Sequence, residues 1–149
     1  MKKRAFLLMS MLLSLFVWSA CSDDEKSIRY SSLPETAQSF VETYFPNRTV
    51  VYAEREKDDG RTEYKVLLSD ATELKFNEGG VWESIDCPYG VLPDGILLPA
   101  IEVHMAENYP DAVAYKVERE LGGFDVSLNN GIDLIYSSDG TFIREDRTR

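Results

Sequence analysis

The side chains that could perform chemistry in this sequence are few and lie far apart. It contains one histidine, His104, and two cysteines, Cys21 and Cys87. It has no serine–histidine or cysteine–histidine signature, no HExxH motif and no glycine-rich phosphate loop. The carboxylate pair Asp23–Asp24 lies in a polar stretch where nothing withdraws it from water, which does not suit acid–base catalysis. We therefore expect neither an enzyme nor a cofactor site.

Acidic turns are the features that could bind a cation. Residues 58–60 (DDG), 78–80 (EGG) and 139–140 (DG) could supply carboxylate oxygens to Ca²⁺, but none has the spacing of an EF-hand loop. Turns also use Asp and Gly without any ion, and two lone cysteines cannot form a structural zinc site. We predict no metal site and keep a Ca²⁺-responsive or small-ligand sensor as the alternative function.

Cys21 is explained by its place after an apolar run. Basic residues at 2–4 precede an uncharged stretch from Ala5 to Ala20, which is shorter than the roughly 20 residues of a membrane-spanning helix. This layout is typical of a secretory signal, and "WSAC" resembles a bacterial lipobox, in which the cysteine thiol is acylated. An ordinary signal peptide followed by a chance cysteine is the alternative. We predict a lipoprotein signal peptide at residues 1–20 and lipidation of Cys21.

An acidic segment follows the predicted lipidation site. Residues 21–32 are polar and lack periodicity, so we predict a flexible spacer. The letters "SDDE" either resemble the export signal of surface lipoproteins in some Gram-negative bacteria or form a solvated tether. The predicted location is the outer membrane, reached through the lipid anchor, on its periplasmic face or at the cell surface.

The charge of the chain excludes two classes of partner. Loss of residues 1–20 would reduce the 16 basic residues to 13 and leave all 26 acidic ones, for a net charge of −13. Nucleic acids require clustered cations, and anionic membrane surfaces attract basic segments. We therefore expect no nucleic-acid binding, and membrane attachment through lipid alone.

Two segments of the chain repeat each other. Eight positions match chemically at a single offset of 60 residues, which is hard to obtain by chance. Upstream of them, an offset of 64 relates Phe45-Pro46 to Tyr109-Pro110, because the first segment has a four-residue insertion within "KDDGRT". The eight matched pairs are Tyr64/Phe124, Val66/Val126, Leu68/Leu128, Glu73/Asp133, Leu74/Leu134, Phe76/Tyr136, Gly80/Gly140 and Trp82/Phe142.

Each segment is predicted to form one helix followed by about four antiparallel strands. Apolar residues from Ala37 to Phe45 recur with helical spacing, and the alternation in "EYKVLLS" and "TELKFN" is typical of strands. The fold class is therefore α+β, with two tandem helix-plus-meander repeats whose sheets could join into one curved sheet with helices on one face. The domain prediction is a first repeat at 33–87, a linker at 88–97 and a second repeat at 98–149.

The ordered motifs resemble one family. "LPETAQSFVETYFP", "EYKVLLSDATELKFNEGGVW", "NYPDA" and "FDVSLNNGIDLIYSSDGTF" together are similar to the PepSY-like family of putative β-lactamase-inhibitor-like lipoproteins. The resemblance runs from Leu33 to about Asp146. It implies tandem helix-plus-sheet units and likeness in fold to inhibitors of β-lactamases and proteases. Fold likeness alone is weak support for an activity.

The predicted function is non-catalytic binding, or inhibition, of an unknown protein or peptide in the cell envelope. A sheet face or edge could receive such a partner, and the candidate contacts are Tyr52, Trp82, Tyr115 and Phe142. Packing in the core is the alternative for each of these aromatic residues. Cys87 is expected to be a buried small residue rather than a reactive thiol. His104 is expected to pack its ring at the edge of a helix rather than act as a base or ligand.

Overall fold

The computed structural model describes residues 25–147, so the predicted signal peptide and Cys21 lie outside the described residues. Nine strands form one antiparallel sheet in sequential order, and two helices are inserted between strands. The elements are β1 (Glu25–Ile28), α1 (Glu35–Tyr44), β2 (Val50–Asp58), β3 (Arg61–Leu68), β4 (Glu73–Asn77), β5 (Trp82–Asp86), α2 (Pro99–Asn108), β6 (Ala114–Glu120), β7 (Gly123–Leu128), β8 (Ile132–Ser137) and β9 (Phe142–Arg147). The α+β prediction is confirmed.

The prediction of a flexible spacer over 21–32 is wrong for its second part. Residues 25–28 form β1, which pairs antiparallel with β2, and a 3₁₀ turn spans Tyr30–Ser32. No sequence pattern indicated this strand, because Ile28 is its only apolar residue. Ile28 lies opposite Ala53 and packs against the core. The strand therefore depends on a partner that is distant in sequence.

Both helices pack on the same face of the sheet. Ala37 and Val41 of the first helix, Phe45 directly after it, and Ile101 of the second helix are buried in a single apolar cluster. The strands contribute alternate residues to this cluster, because side chains along a strand point to opposite faces. The other face of the sheet is polar and carries ion pairs.

The first half (25–87) and the second half (88–147) show matching registers. Tyr64 lies opposite Phe76 and Phe76 opposite Trp82, while Phe124 lies opposite Tyr136 and Tyr136 opposite Phe142. The register shifts in β2 and β6, and in the β4–β5 and β8–β9 pairs, fall at corresponding positions. Both helices have ten residues.

The two halves join through β5 and β6. Ile85 lies opposite Val117 at this join, and both side chains are fully buried. The backbone N–H of Cys87 donates to the carbonyl of Tyr115 at 2.8 Å. The sheet and the core are therefore continuous across the halves. Across 25–147, neither helix has the length and apolar content that a membrane-spanning helix requires.

Candidate functional site

The four predicted contact aromatics lie on four different strands. Trp82 on β5 is a core residue with 7% exposure, whereas Phe142 on β9 is 37% exposed. Tyr52 on β2 and Tyr115 on β6 are half-buried. No ring contact found among residues 25–147 joins any two of the four. The structure therefore does not gather them into one surface, and their role as contacts stays a prediction.

Trp82 packs at the boundary between the two halves. Its ring centroid is 6.5 Å from that of Phe40 on α1 and 6.3 Å from that of Phe124 on β7. The guanidinium of Arg119 lies 4.0 Å from the Trp82 ring centroid, a cation–π arrangement. Burial lowers the pKa of Arg119, and the charge of Glu83 opposes this shift. These contacts favour packing as the role of Trp82.

His104 connects α2 to the last two strands. Its ring stacks on Phe142 with a centroid separation of 4.4 Å, and its Nδ1 lies 2.9 Å from the hydroxyl oxygen of Tyr136. Tyr136 is fully buried, and burial raises its pKa well above the usual value. His104 packs its ring, as expected from the sequence, and it also satisfies a buried hydroxyl, which was not predicted.

Cys87 is buried, with 4% exposure. Burial raises the pKa of its thiol, and a hydrogen bond with Thr72 opposes that rise. Because the thiolate is the reactive form of cysteine, this environment suppresses reactivity. Cys87 is a small core residue rather than a nucleophile.

The helix-free face of the sheet carries ion pairs instead of a metal centre. Lys65 pairs with Glu73 at 3.1 Å and Lys116 with Glu118 at 3.1 Å. Asp86 lies opposite Glu73 on one neighbouring strand and opposite Lys116 on the other. Its Oδ1 is buried and has no hydrogen-bond partner among the described residues. Burial raises the pKa of Asp86, against the opposing charge of Lys116. No group of three His, Cys, Asp or Glu side chains within 25–147 is placed to hold a metal ion.

A groove with a volume of about 490 Å³ lies beside the second helix and is here called the α2 groove. Its walls come from the segment before α2, from α2 itself and from the loop that leads into β6. It contains two carboxylates, those of Asp94 and Glu102, and no lysine, arginine or histidine among its lining residues. The apolar and aromatic lining residues include Val91, Leu92, Leu97, Met105, Tyr109 and Val113.

Apolar side chains at the mouth of the α2 groove remain open to solvent. Val91 is 53% exposed and Val113 is 43% exposed. A concave apolar surface with a few polar groups is the usual form of a binding site. The sequence predicted a linker at residues 88–97 and did not indicate this groove. The signal was present in the apolar letters of "VLPDGILL", because Leu92, Ile96 and Leu97 are buried.

Comparison with protein families gives a specific match. Residues 17–66 and 62–144 match the model of a family described as "Putative beta-lactamase-inhibitor-like, PepSY-like". The two segments together cover most of the sequence. No curated protein matches the chain at a significant level.

Solved structures from Bacteroides share the fold. A protein of Bacteroides vulgatus, described as a putative periplasmic protein, is 34% identical, with a TM-score of 0.81 over 85% of this chain and 99% of its own. A protein of Bacteroides thetaiotaomicron, described as a putative calcium-regulated periplasmic protein, is 31% identical, with a TM-score of 0.81 over 84% and 98%. A second Bacteroides vulgatus protein, described as a putative periplasmic protein of unknown function, is 31% identical, with a TM-score of 0.78 over 82% and 98%.

Proposed function

Because this chain belongs to the PepSY-like, putative β-lactamase-inhibitor-like family, we propose that it is a non-catalytic binding protein of the cell envelope. The partner is a protein or peptide that inserts an apolar segment into the α2 groove. The observation that carries this proposal is the size of the groove, about 490 Å³, together with its apolar lining. The description of three relatives as periplasmic proteins supports an envelope location.

We further propose that Cys21 anchors the protein to the outer membrane through lipid. The support is the basic start, apolar run and "WSAC" stretch at the beginning of the chain. The variant Cys21→Ser should lose incorporation of radiolabelled fatty acid and move from the membrane fraction to the soluble fraction. Undiminished labelling of the variant would contradict lipidation at this cysteine.

The two halves are, in this proposal, copies of one module made of a helix and four strands. The matching strand registers support it, and so does the equal burial of paired positions. Val66 and Val126 are fully buried, as are Leu74 and Leu134. The proposal matters for function because equivalent positions of the two copies can be compared. Such a comparison shows which copy has the more open groove.

Site-specific crosslinking tests the groove as the partner-binding site. A photoreactive amino acid at Val113 lies in the wall of the α2 groove. In cells it should give a discrete crosslinked species, and the same species should be absent without irradiation. Mass spectrometry of the crosslinked band then identifies the partner.

The first half supplies the matched control. Thr49 precedes β2 as Val113 precedes β6, at the offset of 64 residues, and it is exposed. If both positions give the same crosslinked proteins at the same intensity, the contacts are nonspecific. The proposal fails if Val113 gives no product that Thr49 lacks.

Inhibition is one form that such binding could take. The family description points to β-lactamase inhibitors, so purified envelope β-lactamase is a direct probe. A fall in cephalosporin hydrolysis upon addition of the protein would support an inhibitory role. If hydrolysis is unchanged and a protein other than a β-lactamase is crosslinked at Val113, the protein binds a partner but does not inhibit β-lactamase.

A calcium-responsive protein is the second candidate. One relative with 31% identity is described as calcium-regulated, and this chain is acidic. A ligand that binds only the folded state raises the melting temperature by mass action. Millimolar Ca²⁺ should therefore raise the melting temperature more than Mg²⁺ does at equal ionic strength. Equal melting curves in the two salts would exclude this candidate.

A further inference from the structure

We propose that the α2 groove recognises an aromatic side chain carried by a basic peptide segment. This ligand class rests on the proposed role of the groove as the partner-binding site. It is derived from the first half of the molecule, where the chain fills the corresponding place with its own residues.

The first half has a smaller cavity in the corresponding position. That cavity measures about 260 Å³, against about 490 Å³ for the α2 groove. The walls correspond at the offset of 64 residues, because Val41, Phe45 and Val50 line the first cavity where Met105, Tyr109 and Ala114 line the second. The difference in volume therefore arises between two versions of one structural site.

Tyr30 accounts for the filling of the first cavity. Its ring lines the cavity and packs against the core, and its hydroxyl donates to the carbonyl oxygen of Gln38 on α1 at 3.0 Å. The amide of Gln38 in turn donates to the carbonyl of Leu33 at 2.8 Å. The chain thus shows that a tyrosine side chain fits between this kind of helix and its following strand.

The second half lacks this aromatic residue. Asp94 occupies the position 64 residues after Tyr30, and Glu102 occupies the position of Gln38. A side-chain oxygen of Glu102 accepts from the backbone N–H of Gly95 at 3.3 Å, and both acidic side chains line the groove. Space that the first half fills with a ring therefore remains open in the second half.

The charge of the groove selects a basic ligand. Arg48 lines the first cavity and pairs with Asp70, but its counterpart in the second half is Ala112. The α2 groove therefore presents two carboxylates and no cation among its lining residues. In the first half Arg29 directly precedes Tyr30, and Lys26 lies nearby in sequence. A peptide with an aromatic residue next to basic residues would supply the α2 groove with the ring and the positive charges that it lacks.

The probe for the test is a synthetic peptide with the sequence of residues 26–32, KSIRYSS, with blocked ends. The protein is the chain from Ser22 onward, which contains every described residue. Isothermal titration should detect binding in the micromolar to millimolar range. A peptide carrying Tyr30→Ala should bind at least tenfold more weakly, and so should one carrying Lys26→Glu and Arg29→Glu at low salt.

Protein variants separate the α2 groove from other surfaces. Asp94→Tyr should fill the groove as Tyr30 fills the first cavity, which should abolish peptide binding and raise the melting temperature. Asp94→Asn should leave the groove open and weaken binding only at low salt. Asp111→Tyr is the matched control, because Asp111 is exposed in the next loop and does not line the groove.

The outcomes distinguish the ligand class from the groove function. Suppose that the Asp94→Tyr protein binds no peptide, and that the unmodified protein binds the Tyr30→Ala or acidic peptides as tightly as KSIRYSS. The aromatic and basic specificity would then be overturned, while the groove would remain the binding site. Unchanged affinity of the Asp94→Tyr variant would overturn the inference, because the peptide would then bind elsewhere. Failure of every peptide to bind would overturn the ligand class, and the crosslinking at Val113 would decide the groove separately.

Discussion

Asp86 is a half-buried carboxylate at the join between the two halves. It ends β5 on the polar face, yet its Oδ1 is buried and has no hydrogen-bond partner among the described residues. Burial raises its pKa, and the neighbouring charges of Glu73 and Glu118 act in the same direction while Lys116 opposes them. An ionised carboxylate in this position destabilises the folded state.

Asp86→Asn should therefore stabilise the protein near neutral pH. The folded state holds the Asp86 proton to a higher pH than the unfolded chain does, so stability falls as the pH rises through the raised pKa. The cost is complete above that pKa and absent below the ordinary value of about 3.9. Urea unfolding should show a gain for the variant at pH 7 and none at pH 3.

Asp111→Asn provides the control for this pH dependence. Asp111 is exposed in the loop after α2, so its substitution should change the free energy of unfolding by less than about 0.5 kcal/mol at both pH values. Equal gains for Asp86→Asn at pH 3 and pH 7 would show that ionisation of this carboxyl is not the cause.

At the scale of elements, each helix begins against a glycine turn of its own half. Gly80 has φ +77°, and an added Cβ would lie 2.7 Å from Cβ of Pro34 and 3.0 Å from the backbone nitrogen of Ala37. Gly140 has φ +84°, and its added Cβ would lie 3.2 Å from Cβ of Ala100. The close approach of turn and helix therefore depends on the absence of a side chain.

The loss of stability in three glycine-to-alanine variants should follow the space available to the added Cβ. Gly60 has φ +80° with open space around it, so Gly60→Ala should cost only the left-handed backbone penalty of roughly 1–2 kcal/mol. Gly140→Ala should cost more, and Gly80→Ala should cost most, because overpacking adds about 1–3 kcal/mol. Chemical denaturation measures the series, and Gly60→Ala as the most damaging variant would contradict it.

The edge strands show how the sheet limits its own growth. All six side chains of β9 are exposed, and four are charged, while β1 has only four residues. Charged and short edges oppose unwanted strand pairing. This observation favours the α2 groove over the sheet edge as the place where a partner binds.

At the scale of the whole molecule, the β5–β6 join makes one folding unit from two halves. Ile85→Ala should lower the free energy of unfolding by about 2–5 kcal/mol, since it removes buried volume at the join. Both halves should unfold together. Amide exchange of Val66 and Leu74 reports on the first half, while amide exchange of Val126 and Leu134 reports on the second.

Val51→Ala is the control for the join. Val51 lies on β2 and is 60% exposed, so its loss should change stability by less than about 0.5 kcal/mol. If second-half amides in Ile85→Ala remained protected after the first-half amides had exchanged, the halves would be separate cooperative units.

Local sequence patterns were sufficient to predict the fold class, the family and most of the core. Alternation in β3, β4, β7 and β8 follows from the period of a strand, so Val66, Leu74, Val126 and Leu134 could be assigned to a buried face without coordinates. The glycine turns and the helix stripe are equally local signals. The predicted signal peptide and lipid anchor rest on sequence alone.

Only the tertiary structure decided which similar residues differ in role. β1 forms because β2 offers it an edge, and Trp82 is buried because Phe40, Phe124 and Arg119 surround it. The α2 groove is lined in part by residues within 91–97, in a segment that the sequence presented as a linker. Strand pairing and cavity volume depend on contacts between distant residues, and periodicity along the chain does not encode them.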